Sequence, residues 1–230
     1  GFMTQMEAHF NDWREAAITQ LKALEPGFAP KPLCTELGEQ LLGHYEGKPL
    51  IGEYDVYQHL RDYWDAAMQD DCYLISADGW KAEPHRVIET VKSGKKKGQE
   101  VDKGWACDLV PKQYLVARYF TAEQQAIEAL EAEQESLTSQ LSELEEEHGG
   151  EEGLLSELEK MNKANVTARL KEIKGDKDAK DEAVVLNDWL KLNAKEASFK
   201  KVLKEAEADL DANAYAKYPE LTEEEIKALV

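Results

Sequence analysis

Few residues in this sequence have the means to do chemistry: the aspartate pair Asp70-Asp71, the histidine His85, and the lysines Lys92, Lys95, Lys96, Lys97 and Lys103. Paired carboxylates hold a divalent cation when further oxygen donors converge on it, or act as a general base when their surroundings tune one of them. No further donors stand at ligand spacing here, so turn or cap roles are expected for Asp70, Asp71 and Asp78, and no metal site is expected. No catalytic residue and no cofactor-binding residue is expected within the chain, because no recognisable motif places a nucleophile beside a base. The lysines, interspersed with Gly94, Gly98 and Gly104, form a basic loop over residues 86–104. Such a loop can lie along phosphates and add affinity without reading sequence, or it can be a solvated hairpin or insertion. The cysteines Cys34, Cys72 and Cys107 are odd in number and lack CxxC spacing, which fits reduced, buried thiols and a cytoplasmic protein.

Charge narrows the class of partner. The chain has 230 residues with a net charge of -19, which tells against wrapping nucleic acid over the whole surface. The charge is uneven: residues 121–153 hold eleven glutamates and no Lys or Arg, whereas residues 81–118 hold nine Lys and Arg against five acids, a balance of +4. The acidic stretch suits water or a protein surface, and any DNA contact belongs to the middle segment. No run approaches the roughly 20 apolar residues of a membrane span, so no membrane association is expected.

The elements that must position these residues follow from periodicity. Phe10, Trp13, Ala17, Leu21 and Leu24 predict a first helix, stopped by Pro26, Gly27, Pro30 and Pro32; Leu33, Leu37, Leu41 and Leu42 predict a second, reaching Tyr45. Val56, Leu60, Tyr63 and Trp64 suit a third helix packed into the core, with a stacking platform for bases as the functional alternative, and His59 alone makes no ligand set. Cys72 to Ile75 reads as a short β-type run closed by Asp78-Gly79. Trp105, Leu109, Val110, Leu115 and Val116 then return to the core as strand and turn.

From Thr121 onward Ile127, Leu130, Leu137, Leu141 and Leu144 recur at alternating three- and four-residue steps with Gln134 in register, the pattern of a coiled-coil seam. Thr121 with Gln124 fits a capping box, and Gly149-Gly150 a left-handed helix end. Val185, Trp189, Leu192, Phe199, Leu203, Ala206 and Leu210 hold the same register downstream, with Glu196 and Asn213 as polar interruptions, so the two rods should pack antiparallel. Between them Leu154, Leu155, Leu158 and Met161 suggest a short amphipathic helix, residues 165–174 another, and residues 175–182 a loose charged link.

Several blocks carry a family resemblance: Tyr54-Asp55-Val56-Tyr57-Gln58-His59-Leu60, Tyr63-Trp64, Met68-Gln69-Asp70-Asp71, Ala77-Asp78-Gly79-Trp80 and Cys107-Asp108-Leu109-Val110-Pro111. Glu147-His148-Gly149-Gly150, Lys204-Glu205-Ala206-Glu207-Ala208-Asp209-Leu210 and Lys217-Tyr218-Pro219 continue the order. Together, over residues 10–230, the chain resembles the modification subunit of type I restriction-modification systems, in the region after the catalytic domain. The resemblance implies a full-length subunit that methylates adenine at N6 in DNA with S-adenosylmethionine, in a complex of two modification subunits and one specificity subunit. The departure is decisive for chemistry. Such enzymes need a glycine loop after a strand for the cofactor and an Asn/Asp-Pro-Pro-aromatic motif for the flipped base, and this sequence has no Pro-Pro pair.

The expected fold is therefore mainly α: a compact helical module with a small β element over residues 1–120, a long antiparallel helical hairpin over 121–215, and a capping tail over 216–230. The expected function is assembly, with Ile127, Leu130, Leu137, Leu141 and Leu144 docking on the specificity subunit if Trp189, Phe199 and Leu203 leave them free. An independent acidic coiled-coil adaptor or dimeriser is the competing expectation, and an enzyme using Asp70, Asp71 and His85 the third. The chain alone should not bind S-adenosylmethionine; isothermal titration calorimetry should give no binding heat, and tight stoichiometric binding would contradict the reading.

Overall fold

The computed structural model describes residues 2–47, 52–95, 97–150, 153–156, 158 and 160–230, with side chains throughout these except at residues 2–6 and 53. The fold is mainly α, with one small sheet among the described residues. The chain divides into two compact units, residues 1–115 with 215–230, and residues 116–214.

Unit 1 begins with helices α1 (Phe2–Lys22), α2 (Pro30–Tyr45) and α3 (Glu53–Tyr63). Pro30 opens α2, where its fixed φ suits the first turn and its missing N–H is no loss. Gly27, at φ 90, turns the chain between α1 and α2. That turn is tied to a later helix: Gly27 N–H donates to the Ser76 carbonyl at 2.8 Å, and Ser76 Oγ donates to the Phe28 carbonyl at 2.6 Å. Trp80 Nε1 adds a 2.9 Å bond to the Leu24 carbonyl. Gly38 on α2 lets the Tyr57 ring of α3 lie against its backbone, where a Cβ would collide with the ring.

After α3 the helix widens into a π turn, Trp64–Met68, and continues as α4 (Gln69–Asp78). The four apolar residues Cys72 to Ile75 are thus helical, not a strand. Cys72 and Ile75, three apart, are both buried on one face, whereas a strand would pair 72 with 74. The helical run therefore continues past Gln69 to Asp78. Asp70 and Asp71 sit inside it without capping, because no free helix start exists there. Gly79, at φ 80, ends α4 with its N–H on the Ile75 carbonyl at 2.8 Å. Ala17, Leu33, Cys34, Leu37, Trp64 and Cys72 form the core of this unit, with Trp13, Leu60 and Met68 packed around it. Core packing thus takes Trp64 and Leu60 from the aromatic run but leaves Tyr54 and Tyr63 exposed.

The sheet is a hairpin of β1 (His85–Thr90) and β2 (Glu100–Ala106), antiparallel, with Arg86 opposite Trp105 and Ile88 opposite Asp102. Val87 faces two residues, Lys103 and Gly104, and Gly104 takes φ 99, so the irregularity is a bulge that glycine makes inexpensive. Most of the expected loop 86–104 is therefore strand. Leu115 and Val116 lie on helix α5 (Lys112–Tyr119), not on a strand; Pro111 sits just ahead of that helix.

Residues 215–230 complete unit 1. A 3-10 turn, Tyr218–Glu220, follows the last long helix and leads to a short terminal helix, Glu223–Leu229, whose start carries a full capping box between Thr222 and Glu225. Tyr218 is buried; its hydroxyl donates to the Val110 carbonyl at 2.7 Å and its ring meets Trp105 edge-on with centroids 5.5 Å apart. Burial and the nearby Cys107 push the Tyr218 phenol well above its ordinary pKa, so it is a donor throughout the working pH range. Tyr218→Phe leaves the Val110 carbonyl buried without its donor and should cost about 1–3 kcal/mol in urea unfolding with an unchanged slope. An unchanged midpoint would show that the hydroxyl ties nothing.

Candidate functional site

The candidate site is the arm formed by α6 (Thr121–His148) and α8 (Lys180–Lys217), which with α7 (Lys163–Glu172) makes up most of unit 2. The start of α6 differs from the capping box expected at Thr121. Only Phe120 separates α5 from α6; its N–H donates to the Val116 carbonyl and its carbonyl accepts from Gln124 N–H, each at 2.9 Å. With the preceding helix supplying acceptors, Thr121 Oγ1 instead donates back to the Ala117 carbonyl at 2.8 Å. The far end also differs: Gly149 is right-handed at φ -91, not left-handed. Glycine is needed there for closeness, since a Cβ would run into the Glu145 carbonyl oxygen.

Two hydrogen bonds fix how the rods pair. Thr138 Oγ1 donates to Glu196 Oε1 at 2.8 Å, and Trp189 Nε1 donates to Glu145 Oε1 at 2.7 Å. Seven residues forward on α6 thus accompany seven residues back on α8, which makes the rods antiparallel in one register. Ile127, Leu137 and Leu141 are buried, and Leu130 and Leu144 half-buried. On α8 Trp189 and Leu210 are buried, and Val185, Leu192, Phe199, Leu203 and Ala206 half-buried. Asn213 is exposed; the buried position there is Ala214, one residue on, because the helical phase has drifted by then.

Glu196 shows how the seam tolerates a carboxylate. Its side chain is 13% exposed, accepts from Thr138, and accepts from Lys200 Nζ at 2.7 Å. The bonds from Lys200 and Thr138 hold its carboxyl below the usual range.

At the end of the arm where α6 gives way to α7, a second core forms from Leu141, Leu155, Val166, Ile173, Leu186 and Trp189. Leu155 belongs to a turn rather than to the expected helix; its N–H takes the His148 carbonyl at 2.9 Å, which uses an acceptor left over at the helix end. Leu186 and Val166 are the deepest residues here, at 0% exposure, and periodicity alone did not single them out. Arg169 closes the edge with a two-pronged bond to Glu182, Nε at 2.6 Å and Nη2 at 3.2 Å. The signal for that pair was absent from either helix read separately.

A second candidate surface lies on the β1–β2 hairpin. Arg86 pairs with Asp102 across the strands, and Lys103 lies 3.8 Å from Glu89. Lys92, Lys95 and Lys97 occupy the exposed connection, with no carboxylate paired to them among the described residues; Lys96 lies outside the described residues.

The carboxylates of α4 are brought together with one unexpected residue. Asp70, Asp71, Tyr73, Leu74 and Asp108 line an open hollow of about 560 Å³, and Asp108 lies 3.8 Å from His85. Burial, and then the neighbouring Asp70, raise the Asp71 carboxyl. The thiols next in sequence to Asp71 and Asp108, Cys72 and Cys107, are both pushed up by burial and so are poor nucleophiles. Among the described residues no group of three or more His, Cys, Asp or Glu is arranged to hold a metal ion, and no helix is long and apolar enough to cross a membrane.

No known protein family matches the chain, and neither does any curated protein or solved structure. The geometry of the arm is therefore the firmest basis for a function. Because Glu196 has its carboxyl lowered in the folded state, its contribution is fully present above the unfolded value near 4.5 and is lost as pH falls through the lower folded value. Glu196→Gln should destabilise by about 1 kcal/mol at neutral pH, and the gap to the parent should close as pH falls through the lowered folded value. A gap independent of pH in thermal melts would refute the charge's role.

Proposed function

We propose that this chain is an assembly region: the arm docks on a helical partner, and the partner is the specificity subunit of a type I restriction-modification complex in which the chain is the carboxy-terminal region of the modification subunit. The observation that carries the docking is the middle of the arm. There, among the described residues, Leu130, Phe199, Leu203 and Ala206 stay half-buried, where the α7 end of the same arm has a closed core. A seam covered on one side gains by covering the other, at about 25 cal/mol per Å² of apolar surface removed from water. Ile127, Leu137 and Leu141 are already used within the arm, so they support the docking helix pair and Leu130 with α8's Phe199 and Leu203 meets the partner.

The identity of the partner rests on the ordered sequence blocks, from Tyr54-Asp55-Val56-Tyr57-Gln58-His59-Leu60 to Lys217-Tyr218-Pro219. Under that reading the complex also contains a second modification subunit, S-adenosylmethionine is held by the methyltransferase domain, and this region helps to clamp DNA. The rival, self-association into an acidic adaptor, is disfavoured by α6, whose nine glutamates have no Lys or Arg among them. Two copies pairing through α6 would set like charges against each other.

Size-exclusion chromatography with light scattering separates the two. The chain should be a monomer that co-elutes with purified specificity subunit at micromolar concentration, and Leu130→Asp with Phe199→Asp should abolish co-elution. A stable homodimer that ignores the specificity subunit would favour the adaptor and end the assembly reading.

A further inference from the structure

We propose that the tip of the β1–β2 hairpin is a contact site for the phosphate backbone of duplex DNA, made by Lys92, Lys95 and Lys97. The connection at residues 91–99 has four lysines and no acid, in a chain with 47 acidic and 28 basic residues. Two of the three acids on the strands go elsewhere: Asp102 pairs with Arg86 and also accepts from Gly104 N–H at 2.9 Å, and Glu89 lies 3.8 Å from Lys103, while Glu100, opposite Thr90 at the start of β2, is exposed. The strands thereby hold Arg86 and Lys103 against Glu89, Glu100 and Asp102, a small negative excess, and the positive charge is gathered in the connection, where the lysines outnumber the one acid beside them, Glu100.

Distance makes that end usable. Six residues of β1 carry the tip roughly 20 Å from the hairpin's base, about two Debye lengths at 0.1 M salt. Glu83 and Asp108 beside the base therefore do little to repel a phosphate at the tip. Gly94 and Gly98, at φ 84 and 85, shape the tight connection, and Gly98 N–H bonds the Val91 carbonyl at 2.9 Å, so the lysines are presented on a defined turn.

The chemistry of the tip selects among anionic partners. Residues 92–100 include no aromatic or aliphatic side chain beyond the lysine stems, so nothing there inserts into a lipid interface. Nothing there stacks on a base either, and lysines act as point charges, so the contact is to backbone and indifferent to sequence. A two-stranded ribbon has the width to follow a DNA groove while its end meets the phosphates.

This inference rests on the assembly reading only for the source of the DNA; the contact needs this chain alone, so its test omits the specificity subunit and the two can fail separately. The probe is a fluorescent 30-base-pair duplex in anisotropy titrations of the full chain. Three phosphates neutralised give a log–log salt slope of about -2.7, or roughly 40-fold weaker binding between about 50 and 200 mM salt. The K92Q/K95Q/K97Q variant should lose about tenfold or more at low salt and flatten that slope, and K92R/K95R/K97R should keep both. The variant K191Q/K195Q/K204Q removes the same charge from exposed positions of α8 and should change Kd less than about twofold. All three should keep the parent's circular dichroism and melting temperature, since the altered side chains are exposed. No parent binding up to about 100 µM at low salt, equal loss in the two glutamine variants, or tip-dependent binding to phosphatidylserine vesicles without binding to DNA would each overturn the proposal.

Discussion

The register between α6 and α8 is the constraint on which unit 2 depends. Leucines repeating every three or four residues allow two helices to slide by a heptad at little cost, because one leucine pocket resembles the next. The polar contacts do not slide. Glu196 needs Thr138 and Lys200 around it, and the Trp189 indole needs Glu145. A shift by one heptad would take Glu196 from Thr138 and set it opposite Glu131 or Glu145, and would part the Trp189 indole from Glu145, so it loses two hydrogen bonds and brings like charges together. Once that register is set, Leu141 and Trp189 stand beside Leu186, and Val166 and Ile173 can close the end of the arm.

Unit 1 solves a different problem. Its helices are joined by tight turns, and long-range bonds hold those turns. The α1–α2 turn leans on Ser76 and Trp80, the Val110 carbonyl on Tyr218, and the π turn after α3 sets the phase at which Cys72 and Ile75 meet the rest. The buried thiols behave as small apolar groups there, with Cys72 raised to about 11 by burial.

What the sequence disclosed followed the strength of each periodic signal. The seam residues from Ile127 to Leu141 and from Trp189 to Leu210 were legible because seven-residue spacing repeats several times over. Cys72 to Ile75 was not, since four apolar residues satisfy a strand as well as a helix and the π turn hides the join to α3. The capping box at Thr121 failed for a non-local reason: whether a threonine caps depends on whether another helix already supplies the acceptors. Strands β1 and β2 left no clear alternation because β1 is largely exposed and β2 is half-buried without a period of two, and Arg86 and Asp102 pair across the ribbon instead. At the candidate sites, the lysine cluster was visible by composition, but which lysines lack acidic neighbours was set by the pairing of Arg86 with Asp102, a register that composition does not encode.

The return of residues 215–230 to unit 1 carries a consequence for biosynthesis. Val110 leaves the ribosome more than a hundred residues before the Tyr218 hydroxyl that bonds it, and every residue of unit 2 is made in between. The nascent module must wait, incomplete, while the intervening rods are translated and pair.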